Sequence, residues 1–435
     1  MWAGRGCGRL AGMSPASPPR RETALHLLFL HPDGERVALH SVSVTTMTYY
    51  GEHVPNAAPA HLRARLLRRL HFRGLGEEGG VRRAESVWHL HTDELDRLEW
   101  RAAWDLTEVQ RTWVEAARTP ATPRRAPWMR AEWHTQALAW LDAELAAQGL
   151  VRRGGPVTLK HWQISLLWRV ETDGGTRVYL KAVPDFFRRE VAITPKLACA
   201  LPSSAPPVLA ADEARGLLLM GDAGEGQDAP DLPTLMQHLA WLQRESVALL
   251  PDLPLPDHGP EYVLSRLDAL FSAAALLVGE EGGLSADEAA ALRARRPKLE
   301  AALARLATSP LPRTLGHGDL HGGNVVARGE SFTFLDWSDV SRTHPFLDAD
   351  AAYFLPYDAA PAGGRKVVEE AHDAYLDAWA DFAPLSELRA LHADALRVAE
   401  LYRALGYVDG IQPHVEDPAE WRGAHLPHLR KLLKD

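Results

Sequence analysis

The order of apolar and polar residues predicts a small α+β domain at residues 23–117. Two apolar runs flank Asp33 and Gly34, a dipeptide that favours the tight turn of a β-hairpin. Later segments show either the alternation of a strand or the spacing of a helix face. The predicted elements are two strands around this turn, a helix at 60–72, a strand at 86–92 and a helix at 93–106.

A segment rich in proline and arginine, residues 118–128, interrupts these patterns and predicts a linker. An amphipathic helix with Trp133 and Trp140 on one side follows from Met129. We therefore expect the linker to separate the N-terminal domain from a second folded region.

After the amphipathic helix, five strand-like runs and one short helix complete a predicted β-rich lobe at residues 129–222. Three of the runs precede the helix and two follow it, and a glycine-containing turn at 173–175 connects the second run to the third. Pro195 lies inside the helical segment and is expected to break it, because proline cannot donate the backbone hydrogen bond of a helix interior.

The remaining residues, 223–435, predict a helical lobe. Pro297 is expected to kink or break one helix, and helices are predicted from about Gly364 to the C-terminus. The loop HGDLHGGN, residues 317–324, interrupts the helices. A predicted strand, tight turn and strand follow the loop and end at Asp336. The fold class predicted from these patterns is α+β.

Composition narrows the class of protein. The 435 residues are 46% hydrophobic and 24% charged, as in an ordinary globular protein, and no run of about 18 apolar residues predicts a membrane span. The formal net charge of −9 argues against a nucleic-acid partner, whose binding protein would be basic, and is compatible with a cationic small molecule. We therefore expect neither nucleic acid nor membrane as a partner.

The N-terminal residues and the cysteines predict a cytoplasmic protein. Residues 1–22 carry scattered arginines and lack the apolar core of a signal peptide, so we interpret them as a disordered tail. The sequence contains two cysteines, Cys7 and Cys199, too few for a disulfide framework or a cysteine-based zinc site. This usage favours a reducing compartment.

The HGDLHGGN loop has two chemical interpretations, of which the first is metal-dependent phosphate hydrolysis. An aspartate and a histidine so close together can hold one ion of a two-metal phosphoesterase site. Such a site needs further ligands from later segments. The residues after Asn324 contain no segment of that kind, so this interpretation leaves the site incomplete.

The second interpretation is phosphate transfer from a nucleotide. This reaction needs a carboxylate near the attacking hydroxyl, oxygen ligands for the metal ions and a lysine on the phosphates. In the catalytic loop of kinases the base aspartate precedes a metal-binding asparagine by five positions, and Asp319 precedes Asn324 by the same interval. The hairpin predicted after the loop would return Asp336 to the metal.

From about Met129 onward the chain resembles the aminoglycoside phosphotransferase family, relatives of protein kinases that phosphorylate small molecules. The family has a HGDLHxxN loop and a later Asp-Trp pair, which match HGDLHGGN and Asp336-Trp337 here. The resemblance implies a protein-kinase-like bilobal fold, with the N-terminal α+β domain as an addition, and ATP and Mg²⁺ as cofactors. It implies that Asp319 is the catalytic carboxylate and that Asn324 and Asp336 are metal ligands.

The resemblance also implies nucleotide contacts in the β-rich lobe. Lys181 matches the lysine that holds the α- and β-phosphates, with an exposed lysine on an edge strand as the structural alternative, and Glu190 matches its helix partner. Ser165 would contact phosphate from a turn that lacks the glycines kinases use for this purpose. Met220 to Asp222 would present backbone groups to the adenine.

Other polar residues near the loop are assigned supporting or open roles. His317 is expected to brace the loop through hydrogen bonds, and Asp348 to prop it from a following helix. His321 is open between packing and contact with the substrate. Asp339 and Asp350 are open between contact with a cationic substrate and a solvated acidic surface.

The function implied by the resemblance is transfer of the γ-phosphate of ATP to a hydroxyl group of a small molecule, either an aminoglycoside-like antibiotic or a metabolite. The glycine-free turn leaves an alternative open, a weakly active or inactive nucleotide-binding protein that acts through its N-terminal domain. The sequence does not select the acceptor, the oligomeric state or ATP over GTP.

Overall fold

The chain forms two compact units in a computed structural model. The described residues are 20–45, 51, 54–59, 62–224, 231–355 and 365–434. The first unit, which we call the sheet unit, contains the described residues up to Pro184 together with Leu209–Asp222. The second, the helical unit, contains Asp185–Val208 and the described residues from Ala223 onward.

The predicted tail overlaps the first strand of the structure. Residues 1–19, with Cys7, lie outside the described residues, and the tail stays a prediction there. Residues 20–22 form the start of a strand and pair with residues 81–83, so the predicted tail is wrong for them. The parallel ladder extends to Val81, the first residue of the partner strand, and therefore includes these polar residues.

The N-terminal part of the sheet unit is a mixed five-stranded sheet. Its strands are β1 (Arg20–Leu30), β2 (Arg36–Val44), β3 (Arg65–Glu78), β4 (Val81–His91) and β5 (Arg101–Ala102). The order is β3-β4-β1-β2-β5, with β1 and β4 parallel and the other neighbours antiparallel. Gly34 closes the turn between β1 and β2 with a φ of +76°, which glycine adopts at no steric cost, so the predicted hairpin is confirmed.

The predicted helix at 60–72 is wrong, because most of this segment lies in strand β3. Leu66 and Leu70 have helical spacing, yet they pack into two different hydrophobic cores. Leu66 packs in a core with Trp88, whereas Leu70 packs against a core that includes helix α1 (Glu108–Arg118). Register shifts along β3 also disturb its alternation, which removes the usual sequence signal of a strand.

The predicted helix at 93–106 is also wrong. Short 3-10 turns and strand β5 occupy this segment, and helix α1 begins at Glu108. Thr107 accepts a hydrogen bond from the backbone N–H of Gln110, and the Gln110 side chain accepts one from the backbone N–H of Thr107. This capping box fixes the start of α1, and the spacing Thr-x-x-Gln is its signal in the sequence.

The rest of the sheet unit contains helix α2 (Ala131–Ala147) and a second five-stranded sheet. Its strands are β6 (Val157–His161), β7 (Leu166–Glu171), β8 (Arg177–Ala182), β9 (Val208–Asp212) and β10 (Leu217–Gly221), in the order β6-β7-β8-β10-β9. The five predicted strands are confirmed. Trp128, at the end of the predicted linker, is fully buried in the core that α2 shares with this sheet.

Helix α3 (Arg189–Ala200) belongs to the helical unit, although its residues lie in the range 129–222 predicted for the β-rich lobe. The helix runs through Pro195 without interruption, so the predicted break is wrong. Ile193 and Leu197, on either side of the proline, are buried in the main core of the helical unit. This packing holds the helix together at the position where proline cannot donate a hydrogen bond.

The helical unit has α-helices around one extended core. After α3 they are α4 (Leu232–Ser246), α5 (Pro260–Leu270), α6 (Ala286–Ala294), α7 (Arg296–Ala307), α8 (Arg365–Asp377), α9 (Leu385–Leu405) and α10 (Leu426–Lys431). Pro297 lies in the first turn of α7, directly after the end of α6, so the predicted break is confirmed. Gly364 lies outside the described residues, and α8 begins at the next position.

Two short antiparallel strand pairs position the HGDLHGGN loop in the helical unit. They are β11 (Thr314–Gly316) with β14 (Ser341–Thr343), and β12 (Val325–Arg328) with β13 (Ser331–Phe334). The loop leaves β11 and enters β12, so both of its ends are held by sheet hydrogen bonds. Among the described residues, no helix has both the length and the apolar character that crossing a membrane requires.

Buried histidines make the sheet unit sensitive to acid. Burial lowers the pKa of His89 and His161 to about 3 and that of His134 to about 4. These side chains are neutral in the folded protein, whereas the unfolded chain binds protons below a pH of about 6.5. Their contribution to stability is therefore complete above about pH 6.5 and decreases as the pH falls toward the lowered pKa values.

We expect each of these histidines to lower the free energy of unfolding by about 2 kcal/mol at pH 5 relative to pH 8. His161→Leu removes one of them and should reduce the stability difference between the two pH values by that amount. Urea unfolding followed by tryptophan fluorescence measures the difference. His71→Leu, which replaces an exposed histidine, is the matched control, and a pH dependence unchanged by His161→Leu would contradict the prediction.

Candidate active site

Asp348 fixes the start of the HGDLHGGN loop. Its Oδ2 atom accepts hydrogen bonds from the backbone N–H groups of His317 (2.5 Å) and Gly318 (3.2 Å). Asp348 is buried and lies in a 3-10 turn, Pro345–Asp348. The prediction that it props the loop from a following helical segment is confirmed.

His317 ties the loop to the segment that leads to Asp336. Its Nε2–H donates to the carbonyl oxygen of Leu335 (2.8 Å), and its Nδ1 accepts from the backbone N–H of Asp319 (3.4 Å). The ring packs against the indole of Trp337, with 4.7 Å between ring centroids. Burial lowers the pKa of His317, which keeps the imidazole neutral and able to accept at Nδ1. The predicted bracing role is confirmed.

Replacing His317 by phenylalanine should destabilise the protein by about 1–3 kcal/mol, because the Leu335 carbonyl loses its partner. The phenyl ring would keep the packing against Trp337. Urea unfolding measures the change, and His71→Phe, at a partly exposed position of β3, is the control. If both variants lost the same free energy, the bracing role would be contradicted.

Asp319 and Asn324 are linked within the loop. The Nδ2 group of Asn324 donates to the backbone carbonyl of Asp319 (2.9 Å), which leaves the amide oxygen on the other side of the side chain. Asn324 is buried, whereas the Asp319 side chain is 59% exposed. The loop thus fixes the asparagine and presents the aspartate to solvent.

The β12–β13 hairpin returns Asp336 to the loop. The backbone N–H of Leu335 donates to the carbonyl oxygen of Asn324 (2.8 Å). This bond extends the hairpin ladder by one pair beyond Val325 and Phe334. Asn324 and Asp336 therefore lie at the same end of one hairpin, as the sequence predicts.

Asp336 has a left-handed backbone conformation, with φ and ψ both 66°. This region is uncommon for residues other than glycine, although aspartate and asparagine adopt it more readily than most. Its Oδ1 atom accepts a hydrogen bond from the hydroxyl of Ser338. Backbone strain of this kind concentrates at functional sites, where the direction of a side chain matters.

Asp339 lies near the other carboxylates of the loop region. Burial raises its pKa to about 7, with further increases from the charges of Asp319, Asp336 and Glu190 and an opposing effect of Arg189. Asp339 is partly buried among these charged groups, which argues against a solvated acidic surface, one of its two possibilities. The region has more negative than positive charge around Asp319, which favours binding of a cation.

Gly318 allows the segment of Asp339 to lie against the loop. The glycine has a φ of +86°, and a Cβ atom at its position would lie 2.5 Å from the carbonyl oxygen of Asp339. A larger residue would therefore separate the two segments. The close approach of Asp339 thus explains why the first glycine of HGDLHGGN is needed. The sequence of the loop alone does not indicate this contact.

Arg189 is a site residue that sequence reasoning missed. Its Nε–H donates to the carbonyl oxygen of Ser338 (3.0 Å), in the turn that follows Asp336. Arg189 and Glu190 are the first two residues of α3, and Glu190 is buried. The helix that carries Glu190 is therefore tied to the turn after Asp336. The only sequence signal is an arginine beside the predicted glutamate, which is weak because arginines are common on helix surfaces.

His321 and Asp350 have structural roles in the described chain. His321 accepts a hydrogen bond at Nδ1 from the backbone N–H of Gly323 (3.0 Å) and caps the short turn before β12. Asp350 accepts one at Oδ1 from the backbone N–H of Ala352 (3.0 Å) and caps the next 3-10 turn. Both side chains hold backbone at the edges of the site.

Lys181 and Ser165 lie in the sheet unit. Lys181 is buried on β8, between β7 and β10, and pairs with Leu167 and Leu218. This position excludes the alternative of an exposed lysine on an edge strand. Ser165 is also buried, directly before β7, and its hydroxyl accepts a hydrogen bond from the indole N–H of Trp162 (2.6 Å).

Met220 and Asp222 lie at the end of β10, also in the sheet unit. Met220 pairs with Tyr179 of β8, and Asp222 follows the strand and forms an ion pair with Arg177 (3.1 Å). Residues 225–230, which follow soon after this segment, lie outside the described residues.

The fold and the loop together define a phosphotransferase of the protein-kinase-like class. The chain has a lysine buried in a central strand, and an aspartate, an asparagine and a second aspartate held on one loop and its hairpin. Residues of these types take part in phosphoryl transfer in kinases. The predicted α+β, protein-kinase-like fold class is confirmed.

The chain belongs to the phosphotransferase enzyme family, whose model matches residues 157–388, more than half of its length. It is a phosphotransferase that acts on an alcohol group of a small molecule, as the resemblance to the aminoglycoside phosphotransferases implies. Family membership favours phosphate transfer over phosphate hydrolysis as the chemistry of the HGDLHGGN loop.

Solved structures with similar folds include three small-molecule kinases. A macrolide 2′-phosphotransferase from Brachybacterium faecium is 17% identical, with 67% of this chain and 98% of that chain covered and a TM-score of 0.46. A choline/ethanolamine kinase family protein from Mesorhizobium loti is 17% identical, with 69% and 95% covered and a TM-score of 0.45. An amicoumacin kinase, solved in complex with AMP-PNP, Ca²⁺ and Ami, is 12% identical, with 69% and 96% covered and a TM-score of 0.41. The comparison with curated proteins gave no match.

Proposed function

We propose that the protein is an ATP- and Mg²⁺-dependent phosphotransferase that moves the γ-phosphate of ATP to a hydroxyl group of a small molecule. The observation that carries the proposal lies within the helical unit. An accessible Asp319 carboxylate shares a braced loop with Asn324, and Asp336 lies beside that asparagine at one end of a hairpin. Membership of the phosphotransferase enzyme family supports it.

Asp319 is proposed as the catalytic carboxylate. It would orient the hydroxyl group of the acceptor and take its proton as the new oxygen–phosphorus bond forms. Its exposure leaves the carboxylate open to an acceptor. His317 is unsuited to this role, because both of its ring nitrogens are engaged in hydrogen bonds within the loop region.

Asn324 and Asp336 are proposed to hold Mg²⁺. Both offer the hard oxygen atoms that this ion prefers, and one or two protein ligands suffice when phosphates and water complete the coordination. Burial is the main reason why the pKa of Asp339 rises to about 7, and the nearby carboxylates that add to this effect also fit a divalent cation. Among the described residues, no three His, Cys, Asp or Glu side chains are arranged to hold a metal by themselves. Bound Mg²⁺ would neutralise charge on the transferred phosphate.

Lys181 is proposed to hold the α- and β-phosphates of ATP, with Glu190 as its partner. A lysine that is 6% exposed on a central strand is costly to bury unless charged or polar groups compensate it. Ser165 would contact phosphate from the turn before β7. Met220 to Asp222 would present backbone groups to the adenine.

The acceptor is proposed to be an aminoglycoside-like antibiotic or a metabolite, and a cationic one fits best. The net charge of −9 and the carboxylates around Asp319 would attract a positively charged molecule. The proposed compartment is the cytoplasm. The proposed domains are an additional N-terminal domain at residues 23–117, the β-rich lobe at 129–222 and the helical lobe at 223–435.

Transfer of label from [γ-³²P]ATP tests the proposal. The purified protein is incubated with Mg²⁺ and a panel of aminoglycosides, macrolides, sugars and amino alcohols, and labelled products are separated by chromatography. We expect label to appear in an acceptor when Mg²⁺ is present and to be absent when EDTA removes the metal. A labelled acceptor whose yield is unchanged in EDTA would contradict the proposed metal dependence.

A second candidate function is a nucleotide-binding protein that does not transfer phosphate. The observation that favours it is the turn before β7, which lacks glycine and in which the Ser165 hydroxyl is already engaged by Trp162. Thermal stabilisation by ATP and Mg²⁺, without label in any member of the panel, would favour this candidate. Label in one acceptor would exclude it.

A further inference from the structure

The N-terminal sheet lies outside the family match, which begins at residue 157. The sheet contacts α2 and the end of β6 within the sheet unit. Arg65 of β3 donates from Nη1 to the carbonyl oxygen of Ala131, the first residue of α2 (3.4 Å). Gly51, in the connection between β2 and β3, lies between the sheet and β6: a Cβ atom there would lie 2.8 Å from the Cδ2 of Leu66 in β3 and 3.0 Å from the Cβ of His161, the last residue of β6. The sheet therefore supports the strand that leads into the turn before β7.

Trp128 continues this support from α2 to the turn itself. Its indole N–H donates to the carbonyl oxygen of Trp162 (2.9 Å), and its own carbonyl oxygen lies 2.9 Å from the Nε2 of His134 in α2. The Trp128 side chain is fully buried and packs against Trp133. A chain of hydrogen bonds thus leads from α2 through Trp128 to the turn.

The turn itself, residues 162–165, is closed by two bonds between its ends. The backbone N–H of Trp162 donates to the carbonyl oxygen of Ser165 (3.1 Å), and the Trp162 indole donates to the Ser165 hydroxyl (2.6 Å). Kinases use glycines here because bare backbone approaches phosphate closely. This turn has no glycine and is held by the hydrogen bonds between Trp162 and Ser165. Its conformation therefore depends on the contacts that fix Trp162.

We propose that the N-terminal sheet, acting with Trp128, holds the turn at 162–165 in the conformation that binds the phosphates of the nucleotide. Trp128 is then a positioning residue for nucleotide binding, since it touches the turn and does not touch the ligand. The inference rests on the proposed function in one respect, which is that Ser165 contacts a phosphate group of the nucleotide. It gives the additional domain a role as a fixed support for the nucleotide site.

Trp128→Phe tests the inference, because it keeps an aromatic ring in the core and removes the donor to Trp162. The measured quantities are the dissociation constant of AMP-PNP with Mg²⁺, by isothermal titration calorimetry, and kcat and KM for ATP. We expect an increase of about fivefold in the dissociation constant and in KM, with kcat within about twofold of wild type, as the loss of one buried hydrogen bond suggests. Trp133→Phe, in the same aromatic cluster, is the matched control and should match wild type.

Gly51→Ala tests the same support from the sheet side, since the added methyl group meets both Leu66 of β3 and His161 of β6 and the residue has a φ of +73°. It should weaken AMP-PNP binding in the same direction, even if Trp128→Phe fails to fold. Binding as tight as that of Trp133→Phe in the folded variants would overturn the inference. A wild-type protein that binds AMP-PNP but transfers no phosphate would contradict the proposed function and leave this inference open to the test. The dissociation constants of the variants would still show whether Trp128 and the N-terminal sheet support nucleotide binding.

Discussion

Asp319→Asn is expected to lower kcat for phosphate transfer by about 10²–10⁴-fold, the usual contribution of a positioned proton acceptor. Asparagine has the same shape and cannot accept the proton of the acceptor hydroxyl. The loop should keep its conformation, because the backbone of Asp319, not its side chain, donates to His317 and accepts from Asn324. Nucleotide affinity and thermal stability should therefore change little.

Steady-state kinetics with the acceptor found in the panel measures this effect, together with AMP-PNP binding by calorimetry. Asp350→Asn is the control, since Asp350 caps a neighbouring 3-10 turn and an asparagine can do the same. A kcat of Asp319→Asn within tenfold of wild type would show that this carboxylate is not the proton acceptor.

Asp336→Asn should lower activity by at least about 100-fold at moderate Mg²⁺ concentration, because a metal site contributes several kcal/mol of charge stabilisation. Asparagine tolerates the left-handed conformation of this position better than most residues do. It also keeps an oxygen that can accept from the Ser338 hydroxyl. The substitution therefore removes the charge and leaves the turn in place, so part of the activity should return at high Mg²⁺ concentration.

The dependence of rate on Mg²⁺ concentration measures this effect for wild type and variant. Asp287→Asn, at an exposed position in the first turn of α6, removes the same charge away from the site and serves as the control. An Asp336→Asn enzyme with the same Mg²⁺ dependence as wild type would exclude this residue as a metal ligand.

The loop and its hairpin could be predicted from the sequence because their information is local. Five positions separate Asp319 from Asn324, and a short hairpin then fixes where Asp336 returns. Lys181 could be recognised because a lysine within an apolar strand is unusual, and the structure buries it on a central strand. Chemistry and local spacing were sufficient for these residues.

The parts that could not be predicted depend on contacts between distant segments. The bond from Arg189 to the Ser338 carbonyl joins residues 149 positions apart, and the sequence carries no pattern for it. The environment of Asp339 likewise depends on how several segments converge. In the N-terminal sheet, Leu66 and Leu70 imitate a helix face because the two leucines serve different cores of a strand with register shifts.

A crystal structure with AMP-PNP and Mg²⁺ tests the central claim most directly, that one loop and its hairpin hold the metal and present the catalytic carboxylate. The expected result is a Mg²⁺ ion bound by the amide oxygen of Asn324 and the carboxylate of Asp336, at about 2.0–2.1 Å, with Asp319 facing the γ-phosphate. A bound nucleotide whose metal contacts neither Asn324 nor Asp336 would contradict it.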